Sequence, residues 1–581
     1  MDFKLEEIEE IEREHAKMIK LPHLTEEEKY LIDPIVAPTS GLRIQILDVI
    51  EKNGVKQYLL PKRKLFLFLR VFKAISILYK ELKKGINLKV LIVTDDRPTK
   101  DVLLTYCSQI FAYDSYQIYY QKDEPGKSRM SSPYGAASVA LLEEIKLTIV
   151  LTASHNDLTW NGVKFYIDYP IPMSGDMFKD ISKIALDLKE INLNVTFKTE
   201  LIDIEQMNNN YVIQLLSKVL TLESIKERNI VIWPYLGKAR GIVNLFRQLG
   251  ANVIVIEEEI DPPNPIKEIR EDKLKSVMES NNSTIALLLD ADRDRIAIYV
   301  KQNGKYQFYI PNEIYSAMHN ILAKEYKKKI INVRTIPSDL RADNSSYINI
   351  LTGVGYKHLG IILYFLLDIP VDQSKVDTAI LYFEDEDNTL IKIKEPQPLK
   401  EEFFKLMSRD ALKEDQFLIV MWEESGGHTL NVLNSVLNQT DQDVKFTTRF
   451  PLIADKYPVP ALVLATELIA RGHIISESID WSIKGINRTI SAIDEEKVKI
   501  MKNFEKNDKK SITINEKEYN VNALSDNNGI IDIFQLKSND STLYFRPSGT
   551  GPEVRFYIFG AKETHLSEIK AVQNFVKSNY F

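Results

Sequence analysis

The sequence predicts an α/β protein of several domains built on parallel sheets, and three observations carry that expectation. The chain has 581 residues, which at roughly 150 residues per domain corresponds to about four domains. Short apolar runs recur, each followed by a polar loop. VLIV precedes Thr94-Asp95-Asp96-Arg97, LTIVL precedes Thr152-Ala153-Ser154-His155-Asn156, and NIVIW precedes Pro234. IALLL precedes Asp290, FLIVM precedes Trp422-Glu423-Glu424-Ser425, and TLYF precedes Arg546. Helical patterns lie between these runs, and such alternation reads as buried strands of parallel sheets with helices packed on them. Ligands in sheets of this kind gather beyond the carboxyl ends of the strands, where these loops sit.

Taken in order, the charged N-terminus MDFKLEEIEEIEREHAK predicts a helix and does not read as a secretory signal. KLFLFLRVFKAISILYK carries Arg70 and Lys73 at helical spacing and reads as an amphipathic helix. A further helix is expected over Ala239 to Leu249, with Ile242, Val243, Phe246 and Leu249 on one face and Gly250 as its C-terminal cap. Polar stretches near Met207-Asn208-Asn209-Asn210, Gln302-Asn303-Gly304 and Arg471-Gly472 divide the chain into 1–205, 206–310, 311–472 and 473–581.

Composition bounds the function. With 44% hydrophobic and 27% charged residues the chain is an ordinary globular protein that can bury several cores. Its one cysteine, Cys107, excludes a disulfide framework or a cysteine-rich metal site and fits a cytoplasmic location. A formal net charge of −7 argues against a general binder of nucleic acid or membrane surfaces. No run of 18 apolar residues occurs, and nothing demands assembly, so a monomer is expected. An anionic substrate would require positive charge gathered locally.

Four loops carry chemistry. In Asp290-Ala291-Asp292-Arg293-Asp294-Arg295, carboxylates at i, i+2 and i+4 after a wholly apolar strand can converge on one hard cation such as Mg²⁺. An EF-hand fits less well, because Arg295 and Lys301 stand where it needs glycine and glutamate. A haloacid-dehalogenase-type phosphatase also fits less well, because Asp294 occupies its usual Thr or Val position. The second loop, Thr152-Ala153-Ser154-His155-Asn156-Asp157 followed by Asn161-Gly162-Val163-Lys164, offers a serine that needs a base, cation or metal to act as phosphate carrier. On spacing alone, a Ser-His neighbour pair on a strand would point to opposite faces. The third, Glu423-Glu424-Ser425-Gly426-Gly427-His428, suits vicinal sugar hydroxyls, which both donate and accept. The fourth, Arg546-Pro547-Ser548-Gly549-Thr550-Gly551 with Arg555 beyond, is an anion nest of arginines, hydroxyls and glycine-exposed N–H groups. Only 22 glycines occur, yet five fall inside these loops, as expected where a backbone turns sharply or approaches a ligand.

Together and in this order the four loops resemble the α-D-phosphohexomutase superfamily, the phosphoglucomutases, phosphomannomutases and their relatives. That family carries TASHNP…NGxK, DxDxDR, a GEESGH-like loop and RPSGTEP…R. This chain reads TASHND…NGVK, DADRDR, WEESGGH and RPSGTGP…R. Thr39-Ser40-Gly41-Leu42-Arg43 resembles the family's N-terminal GTSGLRG, and Thr352-Gly353-Val354-Gly355-Tyr356-Lys357 resembles its TxxGFK. The chain departs from the pattern at Ile44, Asp157, Trp422 and Gly551, and the segment from about Ile369 to Asp415 has no counterpart.

The resemblance implies three α/β domains with mixed sheets plus a smaller C-terminal α+β domain around a central cleft. It implies a phosphosugar mutase that moves a phosphoryl group between the 1- and 6- (or 5-) positions of a sugar phosphate. Ser154 would carry the phosphate and share Mg²⁺ with Asp290, Asp292 and Asp294, with a sugar 1,6-bisphosphate as intermediate and activator. Lys164, Arg295, His428 and His155 are the implied charge-neutralising and acid–base groups. Arg43, Lys357, Arg546, Ser548, Gly549, Thr550 and Arg555 would bind the substrate phosphate, and Glu423 and Ser425 the sugar hydroxyls. A sugar-bisphosphate synthase, a metal-dependent phosphatase or a non-catalytic sugar-phosphate-binding relative would use the same loops. The identity of the sugar is left open.

Overall fold

The structure is a computed structural model, and it describes all residues except 15, 34–41, 53, 125, 171–175, 386–388, 410–413, 549–551, 562–563 and 581. Two compact units emerge, one of residues 1–311 and 450–471, the other of residues 312–449 and 472–581.

The first unit is organised by two mixed sheets. One has six strands in the order Thr199–Ile202, Gln117–Gln121, Lys89–Thr94, Leu147–Leu151, Trp160–Ile167, Leu42–Gln45. The first four run parallel, while Trp160–Ile167 is antiparallel to both of its neighbours. The second sheet has five strands, with Asn252–Val255, Asn229–Trp233 and Ile285–Leu289 parallel and Ile296–Gln302 and Lys305–Tyr309 following antiparallel. The expected apolar runs are the central strands. LTIVL and IALLL are buried along their whole length, as strands covered on both faces must be.

Three expectations are corrected in this unit. The charged N-terminus is not helical: it contributes strands Ile11–Arg13 and Ala16–Lys20, the latter paired with Glu190–Leu193. Tertiary pairing overrides the helical propensity of its glutamates. Arg70 does not lie on a solvated face of the helix Lys62–Leu82. It is 2% exposed and donates to the carbonyls of Ala185, Leu188 and Pro22. Ala185 lies in the last turn of the helix Asp176–Asp187, whose terminal carbonyls need partners from outside the helix. The polar stretch at Met207–Asn210 is not a linker either. It lies inside the helix Ile204–Leu216, where Asn208 and Asn209 are buried and bond to Tyr457 and Tyr134.

The helix expected after NIVIW runs over Arg240–Gln248. Gly250 has φ +86, Gly250 N donates to Arg247 O and Ala251 N to Phe246 O, the pairing of a left-handed glycine cap. The helix Val459–Ala470 belongs to this unit as well, and Glu467 on it accepts from the N–H groups of Ser224 and Ile225.

The second unit holds a seven-stranded mixed sheet and a six-stranded antiparallel one. The seven-stranded order is Leu390–Lys392, Leu381–Glu384, Ile348–Thr352, Lys329–Thr335, Glu414–Trp422, His428–Asn438, Asp443–Thr447. The antiparallel sheet spans Ile483–Ser491 to Glu553–Ala561 in sequence, with the helices Asp494–Phe504 and His565–Tyr580 packed in its core. This is the α+β arrangement expected at the C-terminus. The segment from Ile369 to Asp415 adds the two edge strands Leu381–Glu384 and Leu390–Lys392 and the helix Pro396–Arg409. Its Ile380 and Tyr382 share an apolar cluster with Leu524, Ile533, Tyr544 and Tyr557 of the antiparallel sheet. Lys392 Nζ donates to Ser525 Oγ at 3.0 Å, and Tyr382 Oη accepts from Ser525 N at 3.0 Å. Among the described residues no helix is long and apolar enough to cross a membrane.

Candidate active site

In the first unit the serine loop is shaped by a buried arginine. Thr94 ends a central strand, and the turn after it brings Arg97 beneath residues 152–160. The guanidinium donates to the carbonyls of Ser154, Asn156 and Asp157 at 2.6 Å each and of Trp160 at 2.9 Å. Asp95 ties in from the other side: it pairs with Arg97 Nε at 3.2 Å and accepts from Thr152 Oγ1 at 2.7 Å. Burial pushes the Asp95 carboxyl up, and Arg97 opposes that push. Thr152 Oγ1 in turn accepts from Ser154 N at 2.9 Å.

Ser154 therefore sits on a tight turn with φ +54, a conformation uncommon for a non-glycine residue and found most often at sites the surroundings over-determine. The turn also answers the expectation from strand geometry. Ser154 and His155 are not strand neighbours on opposite faces, and Ser154 Oγ lies 3.4 Å from His155 Nδ1. Gly162 closes the loop, because a Cβ there would stand 2.5 Å from Leu42 O and 2.6 Å from Thr152 O.

The acidic loop follows the buried strand Ile285–Leu289. Asp290, Asp292 and Asp294 are all buried, and each offers a carboxylate oxygen within 4.8 Å of the others. Arg293 turns with φ +62, so its side chain leaves the cluster and pairs with Asp96 Oδ2 at 2.6 Å. Asp290 Oδ2 is 3.5 Å from Ser154 Oγ. Lys164 Nζ donates to Asp292 Oδ2 at 2.9 Å and lies 3.3 Å from Asp294 Oδ2. Arg295 flanks the cluster, its Nε 3.7 Å from Asp294 Oδ1.

Electrostatics here are those of a crowded acid cluster. Burial, then Asp294 and Asp292, push Asp290 well above the carboxylate range. Asp294 is held well below it, against burial, by Lys164, Lys456 and Arg295. Burial works against the charge on Lys164, yet Asp292 and Asp294 outweigh it and its pKa is raised. Burial and the Arg295 charge push His155 down to about 2, so its imidazole is neutral. The oxygens Asp292 Oδ1 and Asp294 Oδ1 are buried with no hydrogen-bond partner among the described residues. Unpaired buried carboxylate oxygens are costly, and three acids with lone pairs converging at this spacing fit a hard divalent cation.

Arg43 lies on the strand facing Gly162 and is lowered by burial while Asp292 and Asp294 favour its charge. Lys456 was not singled out from the sequence, because nothing in IADKYP distinguishes it. Its charge nevertheless acts on Asp294 and His155.

The second unit carries the other predicted residues. In the loop after Glu414–Trp422, Glu423 N donates to Gly427 O and Gly426 N to Glu423 O, both at 3.1 Å, and Ser425 Oγ donates to Glu423 Oε1. Glu424 accepts from Thr335 Oγ1 at 3.2 Å, and burial together with Glu423 pushes it up.

His428 is a different matter. The chain reads SGGH where the family pattern reads SGH, and His428 is the first residue of the strand His428–Asn438, paired with Trp422. It is 0% exposed, with Nε2 3.0 Å from His319 Nε2. This placement does not support the acid–base role expected of it.

Arg546 and Arg555 stand directly opposite each other on antiparallel strands. Like charges in that register repel, and the arrangement suits an anion between them. Asp532 lies 3.4 Å from Arg546 and Glu553 lies 2.8 Å from Arg555. Lys357, near the start of the helix Tyr356–Leu366, is lowered by burial, with Arg546 also acting against its charge. Ser548 is buried, and its carbonyl accepts from Lys497 Nζ at 3.0 Å. Thr39, Ser40, Gly41, Gly549, Thr550 and Gly551 lie outside the described residues.

Comparison with known proteins places this arrangement. Residues 63–192, which hold Ser154 and Lys164, match the family described as "Phosphoglucomutase/phosphomannomutase, alpha/beta/alpha domain I". That stretch is the part of the chain that the family model reaches, and through it the chain is similar to the α-D-phosphohexomutase superfamily. Among curated relatives, the phosphoglucosamine mutase of Caldicellulosiruptor bescii is 28% identical over 27% of the chain and 36% of the relative. That of Thermodesulfovibrio yellowstonii is 26% identical over 38% of the chain and 50% of the relative. The chain thus spans between about a third and a half of these relatives' length. Among solved structures, a putative phosphomannomutase from Thermus thermophilus aligns with TM-score 0.56 and 16% identity over 94% of this chain and 99% of that one. The phosphoglucomutase parafusin from Paramecium, in its open form, aligns with TM-score 0.58 and 13% identity over 100% and 97%. At these identities the structures attest the fold alone.

Proposed function

We propose that this chain is a phosphohexomutase that moves a phosphoryl group between the 1- and 6- (or 5-) positions of a sugar phosphate through a phosphoserine. The observation that carries the reading is the placement of one hydroxyl, Ser154 Oγ, 3.5 Å from Asp290 Oδ2 in a buried cluster of three acids and a lysine. Asp290, Asp292, Asp294 and the Ser154 phosphate would hold Mg²⁺, which when bound neutralises charge on the transferring group. Lys164 is kept protonated by Asp292 and Asp294, which suits it to neutralise charge and to donate a proton to an oxygen that loses phosphate. His155, neutral and 3.4 Å from Ser154 Oγ, suits a hydrogen bond from the serine hydroxyl once the phosphate has left.

In the forward half-reaction the Ser154 Oγ–P bond breaks as a bond forms from phosphorus to the oxygen of the free sugar hydroxyl; Ser154 Oγ would take a proton from Lys164, which would recover one from that hydroxyl, leaving a serine hydroxyl and a sugar bisphosphate. In the return half-reaction the other phosphate of that bisphosphate is transferred to Ser154. Such transfers rely on in-line positioning and charge neutralisation. Arg546, Arg555 and Lys357 would hold the non-reacting phosphate, and Glu423 and Ser425 the sugar hydroxyls. An amino sugar is a substrate to test beside glucose and mannose, since the curated relatives are phosphoglucosamine mutases.

The test is a panel of glucose, mannose, glucosamine and ribose 1-phosphates, each with catalytic hexose 1,6-bisphosphate and with or without EDTA. At least one is expected to turn over, only without EDTA, with phosphate on Ser154 by mass spectrometry. Ser154→Ala should lose turnover by several orders of magnitude while keeping its melting temperature. Full activity in Ser154→Ala would end the proposal.

A further inference from the structure

Two residues on the helix Pro311–Lys324 reach the sugar loop from below. Tyr315 and His319 are one turn apart, so their side chains lie on one face. Tyr315 Oη donates to Gly426 O at 2.6 Å, inside the loop. His319 Nε2 meets His428 Nε2 at 3.0 Å, just after the loop. Trp422, just before it, packs edge-on against both rings, at 5.9 Å from Tyr315 and 5.6 Å from His319. All four side chains are buried at 0% exposure. Loop residues Glu423 to Gly427 are therefore gripped within the loop and at both ends by one helical turn.

The paired imidazoles also settle what His428 can offer. Two Nε2 atoms at 3.0 Å require one ring to present N–H and the other its lone pair. Both Nε2 atoms are consumed by this bond. Both Nδ1 atoms are buried without a hydrogen-bond partner among the described residues, so no edge of either ring faces a substrate.

Resting on the mutase reading above, we propose that Tyr315 and His319 are positioning residues of the sugar loop, acting through Gly426 and His428. His428 is its buried anchor and carries no proton in the reaction. His428 opens the strand that follows the loop, and the helix supplies its buried partner.

The test separates this inference from the mutase reading. Hydrogen–deuterium exchange of residues 423–427 needs no turnover. His319→Leu leaves His428 Nε2 unpaired in the core, and exchange of the Glu423 and Gly426 amides should rise about tenfold. His319→Gln places an amide where Nε2 stood, and exchange should return near the wild-type rate. Glucose 1-phosphate and glucosamine 1-phosphate supply the kinetic arm. On whichever is turned over, His319→Leu should raise KM about five- to tenfold with kcat changed less than threefold, and His319→Gln should restore KM. His428→Gln should keep the shape of the kcat–pH profile. If His319→Leu does not fold, Tyr315→Phe makes the same test at Gly426 O. Unchanged exchange in His319→Leu or in its substitute, or loss of one limb of the pH profile in His428→Gln, would overturn the proposal. Failure of both sugars to turn over would count against the mutase reading alone.

Discussion

Replacing Arg97 by methionine keeps most of the stem and removes the guanidinium. Four carbonyls, on residues 154, 156, 157 and 160, then lose a donor at 2.6–2.9 Å, and Asp95 loses its cation. At roughly 1.5–3 kcal/mol per bond to a charged group the gross loss would be about 6–12 kcal/mol. Water entering the space and relaxation of the turn recover much of this. The better guide is the roughly 3–5 kcal/mol cost of removing one member of a buried pair. Taking about 3 kcal/mol as the fall in the cost of opening the loop, amide exchange there should accelerate about 150-fold, since 1.4 kcal/mol is a factor of ten. The reporters are Ser154 N–H, bonded to Thr152 Oγ1, and Trp160 N–H, bonded to Asp157 O. Exchange in the strand Asn229–Trp233 of the neighbouring sheet serves as the internal standard. Phosphorylation of Ser154 by hexose 1,6-bisphosphate should fall in parallel. If exchange over 152–162 rises less than tenfold, Arg97 is not what holds the serine turn, and the argument built on its four bonds is wrong.

Two further outcomes are expected. Glu205 is pushed up to about 7 by burial, with Arg293 pulling the other way. A carboxyl raised in the folded state costs stability as pH climbs from its unfolded pKa of about 4.5 through 7, and the full cost persists above that. Glu205→Gln should therefore be more stable than wild type at pH 8 by about 1–2 kcal/mol, discounted for solvent at the carboxyl, and show a smaller gain at pH 5. Thermal melts at the two pH values check this, and a gain that does not grow with pH would refute it. Arg546→Ala should raise KM for sugar phosphate about ten- to a hundredfold, the loss of one charge-assisted contact. It should do so without lowering the melting temperature, because it also relieves the repulsion with Arg555 across the strand pair.

The strands of this fold were legible because each is a short apolar run that ends in a polar loop, and LTIVL and IALLL are buried throughout. The acid triad was legible for the same reason: alternate aspartates after such a strand have little choice but to converge. What the sequence did not disclose were long-range partners. Arg70 sits in a helix pattern that reads as amphipathic, and only the carbonyls of residues 22, 185 and 188 show why it is buried. Arg97 was visible as part of a polar loop, but its four carbonyl partners lie about 60 residues downstream. His428 stood in a loop motif, and only its buried partner His319, more than 100 residues upstream, shows why it lies in the core. Met207–Asn210 looked like a linker because asparagines suit turns, yet Asn208 and Asn209 find buried tyrosines and stay within a helix.

The unmatched segment from Ile369 to Asp415 adds edge strands whose Tyr382 and Lys392 are stitched to Ser525, with an apolar seam beside them. Within that unit, the loop proposed to hold sugar hydroxyls and the paired arginines proposed to hold phosphate are mounted on sheets sewn to one another. On the proposed reading they would act as the two marks of a ruler rather than as jaws that adjust. A ligand would be selected by whether the span from its ring hydroxyls to its phosphate equals that preset gauge.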